Sequence, residues 1–133
     1  MDLEAFARAE LRADQYPNDE HLFRLFECVT CGAVPLTLTI EHHTGSEPHD
    51  FKGVIRARCP RCNGERVVFG FTGGGRKPWR QEQPACECGS GEFLAGMCER
   101  YEGADGLTGF FDEGVIVGKC ARCSRNHMLA ATD

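Results

Sequence analysis

Apolar and polar residues alternate in two stretches of this chain, and the two stretches resemble each other. Leu36, Leu38 and Ile40 are spaced by threonines, and Phe93, Ala95 and Met97 recur at the same two-residue period. That period places every second side chain on one face, so each stretch predicts a half-buried strand. Gly53-Val54-Ile55 and Gly114-Val115-Ile116 open the predicted partner strands, and Val67-Val68-Phe69 and Met128-Leu129-Ala130 form a third strand in each half. Leu22–Phe26 reads as one more strand. The N-terminus has a different rhythm. Leu3, Phe6, Ala7 and Leu11 fall on one face at helical spacing, predicting a short helix within residues 2–15 that Tyr16-Pro17-Asn18 stops. Residues 72–84 contain three consecutive glycines and two prolines, the composition of a linker. The run lacks the Gly-Lys-Ser/Thr ending of a phosphate-binding loop.

The cysteines bracket these strands. Eight of the nine form close pairs: Cys28/Cys31, Cys59/Cys62, Cys86/Cys88 and Cys120/Cys123. A tetrahedral Zn²⁺ takes four thiolates at about 2.3 Å, and a Cys-x-x-Cys turn supplies two of them. The order of pairs predicts two successive sites, Cys28, Cys31, Cys59 and Cys62, then Cys86, Cys88, Cys120 and Cys123. Gly53–Cys62 also aligns with Gly114–Cys123, with Gly, Val, Ile, Cys, Arg and Cys in register, and Cys31-Gly32 aligns with Cys88-Gly89. The chain therefore reads as an internal duplication in which each unit runs cysteine turn, strand, loop, strand, cysteine turn, strand. The second unit is four residues longer between its cysteine pairs, placing extra loop around Gly103–Gly109. The N-terminus lacks the basic start and apolar core of a secretory signal, so a cytoplasmic, reducing setting is expected, with thiols free for metal.

This layout resembles the zinc ribbon, whose cysteine turns are shared with rubredoxin. The resemblance covers about residues 26–70 and 84–133 and rests on Cys28-Val29-Thr30-Cys31-Gly32 and Cys59-Pro60-Arg61-Cys62. It implies a small, mainly β, metal-stabilised fold of two three-stranded units. The expected division is a helical arm at 1–20, ribbon one at 21–71, a linker at 72–84 and ribbon two at 85–133. It also implies two Zn²⁺ per chain; iron, as in rubredoxin, is the alternative. Cys86-Glu87-Cys88-Gly89-Ser90-Gly91, followed by Cys98, is similar to the SEC-C zinc motif as well, although Phe93 stands one residue early and Glu99 occupies the final ligand position. In the duplication Cys98 matches Glu41, on the face opposite Ile40, and is expected not to bind metal. Glycine after Cys31 and Cys88, and Asn63 after Cys62, suit turns that aim backbone N–H groups at sulfur. His127 reads as a surface residue, with a substitute ligand of the second site as the alternative, and His42, His43 and His49 read as solvated residues of the first hairpin loop, with a weak extra metal site as the alternative.

Charge divides the chain into thirds. Residues 1–51 carry −7, residues 52–80 carry +7 and residues 81–133 carry −5, for a total of −5. A non-specific nucleic-acid binder is usually basic throughout, so here only the middle segment has that character. Arg56, Arg58, Arg61, Arg66, Arg76, Lys77 and Arg80, with Trp79 among them, are the candidate phosphate and base contacts. The competing explanation is that they offset the net negative charge of a four-thiolate zinc. Two complete four-cysteine sets leave no open coordination position, and no catalytic constellation is recognisable, so an enzyme is not expected. The leading expectation is a protein-interaction module, with nucleic-acid binding second and iron electron transfer third. No membrane span and no small-molecule substrate are expected.

Overall fold

The computed structural model describes residues 2–43, 51–70, 78–102 and 111–132. The chain is mainly β. Helix α1, Leu3–Glu10, starts where the Asp2 carboxylate accepts the Ala5 N–H at 2.7 Å, and it ends before Arg12, whose φ of 55° is left-handed. One short 3₁₀ turn, Ala13–Gln15, follows. Among the described residues eight strands come next: β1 Glu20–Leu25, β2 Leu36–His43, β3 Gly53–Arg58, β4 Glu65–Gly70, β5 Pro78–Glu82, β6 Glu92–Tyr101, β7 Phe111–Cys120 and β8 Asn126–Thr132. Two sequence readings change. His42 and His43 end strand β2 rather than lying in a loop. Residues 78–82, read within the linker, form β5. His49, Arg76, Lys77, the Trp79 side chain and the Gly103–Gly109 loop lie outside the described side chains and residues.

All eight strands join one antiparallel sheet, ordered β4-β3-β2-β6-β7-β8, with β1 beside β6 and β5 beside β2. The order reads as two three-stranded meanders meeting at β2 and β6, where Leu36 faces Phe93. Each half also sends a strand to the other. β1 precedes the first cysteine turn but pairs with β6 of the second half, from Glu20↔Tyr101 to Leu25↔Gly96. β5 precedes the third cysteine turn but pairs with β2 of the first half, from His43↔Pro78 to Ile40↔Glu82. Gly96 makes the first crossing feasible, since a Cβ there would lie 2.6 Å from the Arg24 carbonyl oxygen.

Both halves feed a common core. Phe26, Leu36, Leu38, Ile40, Ile55 and Val68 of the first half share one buried cluster with Phe93, Ala95, Met97 and Ile116 of the second. The Phe51 N–H, just before β3, donates to the Ala131 carbonyl in β8 at 2.9 Å, tying the two outer regions together. The opposite face differs between halves. Helix α1 and its C-cap residue lay Leu3, Ala7 and Leu11 over Cys98, Val115 and Val117, and burial of each leucine stabilises by about 1.5–3 kcal/mol. In the first half the polar residues Thr37, Thr39, Arg56 and Arg58 line a groove of about 300 Å³ with Glu65 and Gln83. Arg100, only 5% exposed, anchors the chain before β1: it binds Asp19 at 2.7 Å and Glu113 at 3.0 Å and lies 3.9 Å over the Tyr16 ring. No helix among the described residues is long and apolar enough to cross a membrane.

Candidate metal centres

Four cysteine turns form the two centres, and each turn closes in a similar way. Backbone bonds run from Gly32 N–H to Cys28 carbonyl (2.9 Å), Asn63 to Cys59 (2.8 Å), Gly89 to Cys86 (2.8 Å) and Ser124 to Cys120 (3.0 Å). The third turn spans one residue fewer, as its Cys-x-Cys spacing requires. The residue after each second cysteine is left-handed: Gly32 at φ 82°, Asn63 at 62°, Gly89 at 95° and Ser124 at 64°. This conformation suits glycine and, less strongly, asparagine. Ser124 is the position sequence reading did not flag; its alignment with Asn63 was the available signal.

The sulfurs converge as the spacing predicted. Cys28, Cys31, Cys59 and Cys62 form one group, and Cys86, Cys88, Cys120 and Cys123 another, with all Sγ atoms of a group within 4.8 Å of one another. The closest pairs are Cys28···Cys62 at 3.4 Å, Cys86···Cys123 at 3.4 Å and Cys88···Cys120 at 3.5 Å. A tetrahedron with 2.3 Å metal–sulfur bonds has edges of about 3.8 Å, whereas a disulfide is about 2.05 Å. All nine cysteines are free thiols, and each group has the size and donor chemistry to hold a metal ion. Cys28, Cys59, Cys86 and Cys120 are buried in the common core, while Cys62, Cys88 and Cys123 face outward.

Backbone dipoles prepare one sulfur in each group. The N–H groups of Cys31 and Thr30 lower the Cys28 thiol to about 6. Those of Cys123 and Arg122 lower Cys120 to about 6 against the opposing effect of burial. Burial, then the neighbouring sulfurs, pushes Cys31 up to about 12. At Cys86 the Cys88 N–H pulls downward, but burial and three nearby sulfurs together push the thiol up to about 12. Each group thus stabilises one thiolate readily and resists several, and a divalent cation is what allows all four to ionise.

The remaining candidates separate. Cys98 is fully buried beneath α1, burial pushes its thiol up to about 11, and it belongs to neither group. His127 falls between its two expected places, a surface position and a substitute ligand. Its Nε2 lies 3.3 Å from Cys86 Sγ and its ring stands edge-on to Phe93 at 5.7 Å, so it contacts the second centre without joining the ligand group. The described residues of the basic segment are dispersed. Arg56 and Arg58 line the polar groove, with Arg56 bound to Glu41 at 3.0 Å. Arg66, opposite Ala57, lines a different cleft beside Cys28 and Cys59. Arg61 is exposed in the second turn, and Arg80 sits 3.3 Å from His42 and 4.0 Å from Glu82. Near the second centre, Arg122 donates to the Cys88 carbonyl at 3.3 Å, and Arg125 pairs with Glu87 at 2.6 Å.

The fold and its centres define a small, mainly β chain with two four-cysteine sites that could bind metal, consistent with a tandem zinc-ribbon-like arrangement. No protein-family model, curated protein or solved structure matches it.

Proposed function

We propose that this chain is a non-catalytic protein-interaction module, held in shape by two structural zinc ions and acting in the reducing cytoplasm. The observation that carries the reading is that each group already brings four sulfurs together. Four thiolates complete a tetrahedral shell, leaving no position for substrate or activated water. Soft thiolate donors suit zinc, and the same donors suit iron, so metal identity is the first test. Native mass spectrometry of the purified chain should give two zinc ions per polypeptide, and the protein should be colourless. A red protein carrying iron would overturn the zinc assignment. The matching turns, and a strand order that reads alike from either side, support an origin by duplication.

Protein is favoured over nucleic acid because, among the described residues, the arginines of the basic segment do not share one surface. Arg56 and Arg58 face one side and Arg66 the other, while Glu41, Glu65 and Glu82 lie among them. Phosphate recognition draws its strength from uncompensated cations along one track. Val29 instead presents a large apolar side chain, 84% exposed, at the tip of the first cysteine turn. The discriminating experiment measures binding of single- and double-stranded oligonucleotides at low salt, beside affinity capture with metal-loaded and chelated protein. Metal-dependent protein capture without oligonucleotide binding supports the module. Oligonucleotide binding that weakens steeply with salt would replace it with the nucleic-acid reading.

A further inference from the structure

The two halves fill the space beside their first cysteine differently. Equivalent positions follow from the strand pairing: Ala57 faces Arg66 across β3 and β4, as Gly118 faces His127 across β7 and β8. Leu36 and Phe93 face each other across the central strands β2 and β6. In the second half, Phe93 lies against Gly118, where a Cβ would come 3.1 Å from the Phe93 Cβ. The His127 imidazole then covers Phe93 and reaches Cys86 Sγ at 3.3 Å. In the first half a leucine and an alanine replace the phenyl and the glycine, and an exposed arginine replaces the imidazole. What remains is an open cleft of about 180 Å³, lined by Glu27, Cys28, Thr30, Leu36, Ala57 and Arg66 among others. A single water needs only roughly 15 Å³ of such space.

We propose that this cleft receives the imidazole of a histidine from a partner protein, its ring N–H donating to Cys28 Sγ. The inference rests on the protein-interaction reading and names what the partner must offer. The second half supplies the template, an imidazole wedged between an apolar floor and a cysteine sulfur. Charge selects the same group. Glu27 and Glu65 stand at the cleft beside a thiolate centre, and Arg66 is the one cation among its lining residues, so an N–H-bearing ring fits better than a carboxylate. A phenyl ring would fill the volume but add no donor to those that the Cys31 and Thr30 N–H groups already give the sulfur. Val29, exposed beside Cys28, borders the cleft and would be covered by the bound segment.

The test uses the full metal-loaded chain, ¹⁵N-labelled, titrated with N-acetyl-histidine methylamide as the probe. Saturable shifts are expected at the amides of Val29, Thr30, Gly64 and Glu65, with none at Glu87, Asn126 or His127. The combined variant Leu36→Phe, Ala57→Gly and Arg66→His rebuilds the second half's filling in the first, using groups that already fit together in this chain. It should retain both metals by native mass spectrometry and bind the probe at least about tenfold more weakly, a loss of about 1.4 kcal/mol. Absence of shifts in the unmodified chain, equal binding by the variant, or release of metal by the probe would each overturn the proposal. Should metal-dependent protein capture persist undiminished in the variant, the cleft is refuted while the interaction reading stands. Should neither chain capture protein and both bind oligonucleotides, the interaction reading itself fails.

Discussion

Replacing Cys59 with serine should damage both metal centres, although the second lies in the other half of the chain. The substitution removes one of four sulfurs from the first centre, and the β3–β4 turn that it anchors loses its metal. If the first half then opens, Leu36, Leu38, Ile40 and Ile55 withdraw from the common core and uncover Phe93, Met97 and Ile116, each at most 1% exposed in the intact fold. Burial of such side chains stabilises by about 1.5–3 kcal/mol each, so the second half loses about 5–9 kcal/mol of cover. Strand β5 also loses its partner, β2. At about 1.4 kcal/mol per factor of ten, even the lower value weakens the second centre's hold on metal by roughly a thousandfold. Competition with a graded series of zinc chelators, followed by native mass spectrometry and ¹⁵N–¹H correlation spectra, measures this directly. A Cys59→Ser chain whose second half keeps one metal at the same chelator midpoint, with unchanged amide positions, would refute the coupling. It would mean that the halves behave as tethered, independent units.

Three other outcomes are expected. Arg100→Met strands Asp19 and Glu113, both mostly buried, without their cation, and should cost about 3 kcal/mol in denaturant unfolding; an unchanged midpoint would remove Arg100 as the pin before β1. Cys98→Ser should leave metal stoichiometry at two per chain while lowering stability by about 1–3 kcal/mol, because it buries a hydroxyl among Leu3, Ala7 and Val117; loss of one metal would make Cys98 a ligand. Metal retention should fall with acidification. Cys31 and Cys86, both held near 12 without metal, are protonated at neutral pH, so loading releases their protons and added acid opposes it. Cys28 and Cys120, near 6, begin to take up protons only as the pH drops through that value, and release should steepen there. A zinc-sensitive dye reporting a pH-independent affinity between pH 8 and about 5.5 would contradict this.

The sulfur groups, the cysteine turns and every described strand but β5 rest on local patterns, and these were legible in the chain. Cysteine spacing predicted both sulfur groups, two-residue alternation placed Leu36–Ile40 and Phe93–Met97 in strands, and helical spacing found the buried face of α1. Glycine and asparagine marked three of the four left-handed positions that follow the cysteine turns. What the alternation could not convey is which edge a strand joins, because every strand offers the same row of backbone donors and acceptors. The crossing of β1 to β6 and β5 to β2 depends on long-range closeness, and Gly96 shows its steric reason only once Arg24 lies against it. The described arginines scatter for a related reason: neighbours in sequence share a surface only when strand parity and pairing agree. Arg56 and Arg58 satisfy that condition, and Arg66, placed opposite Ala57, does not. His127 likewise meets Cys86 because β8 folds back on β7, a contact made across 41 positions that no local pattern encodes. Composition and spacing thus determined what each segment is able to bind. Only the closing of one sheet around a common core decided which segments act together.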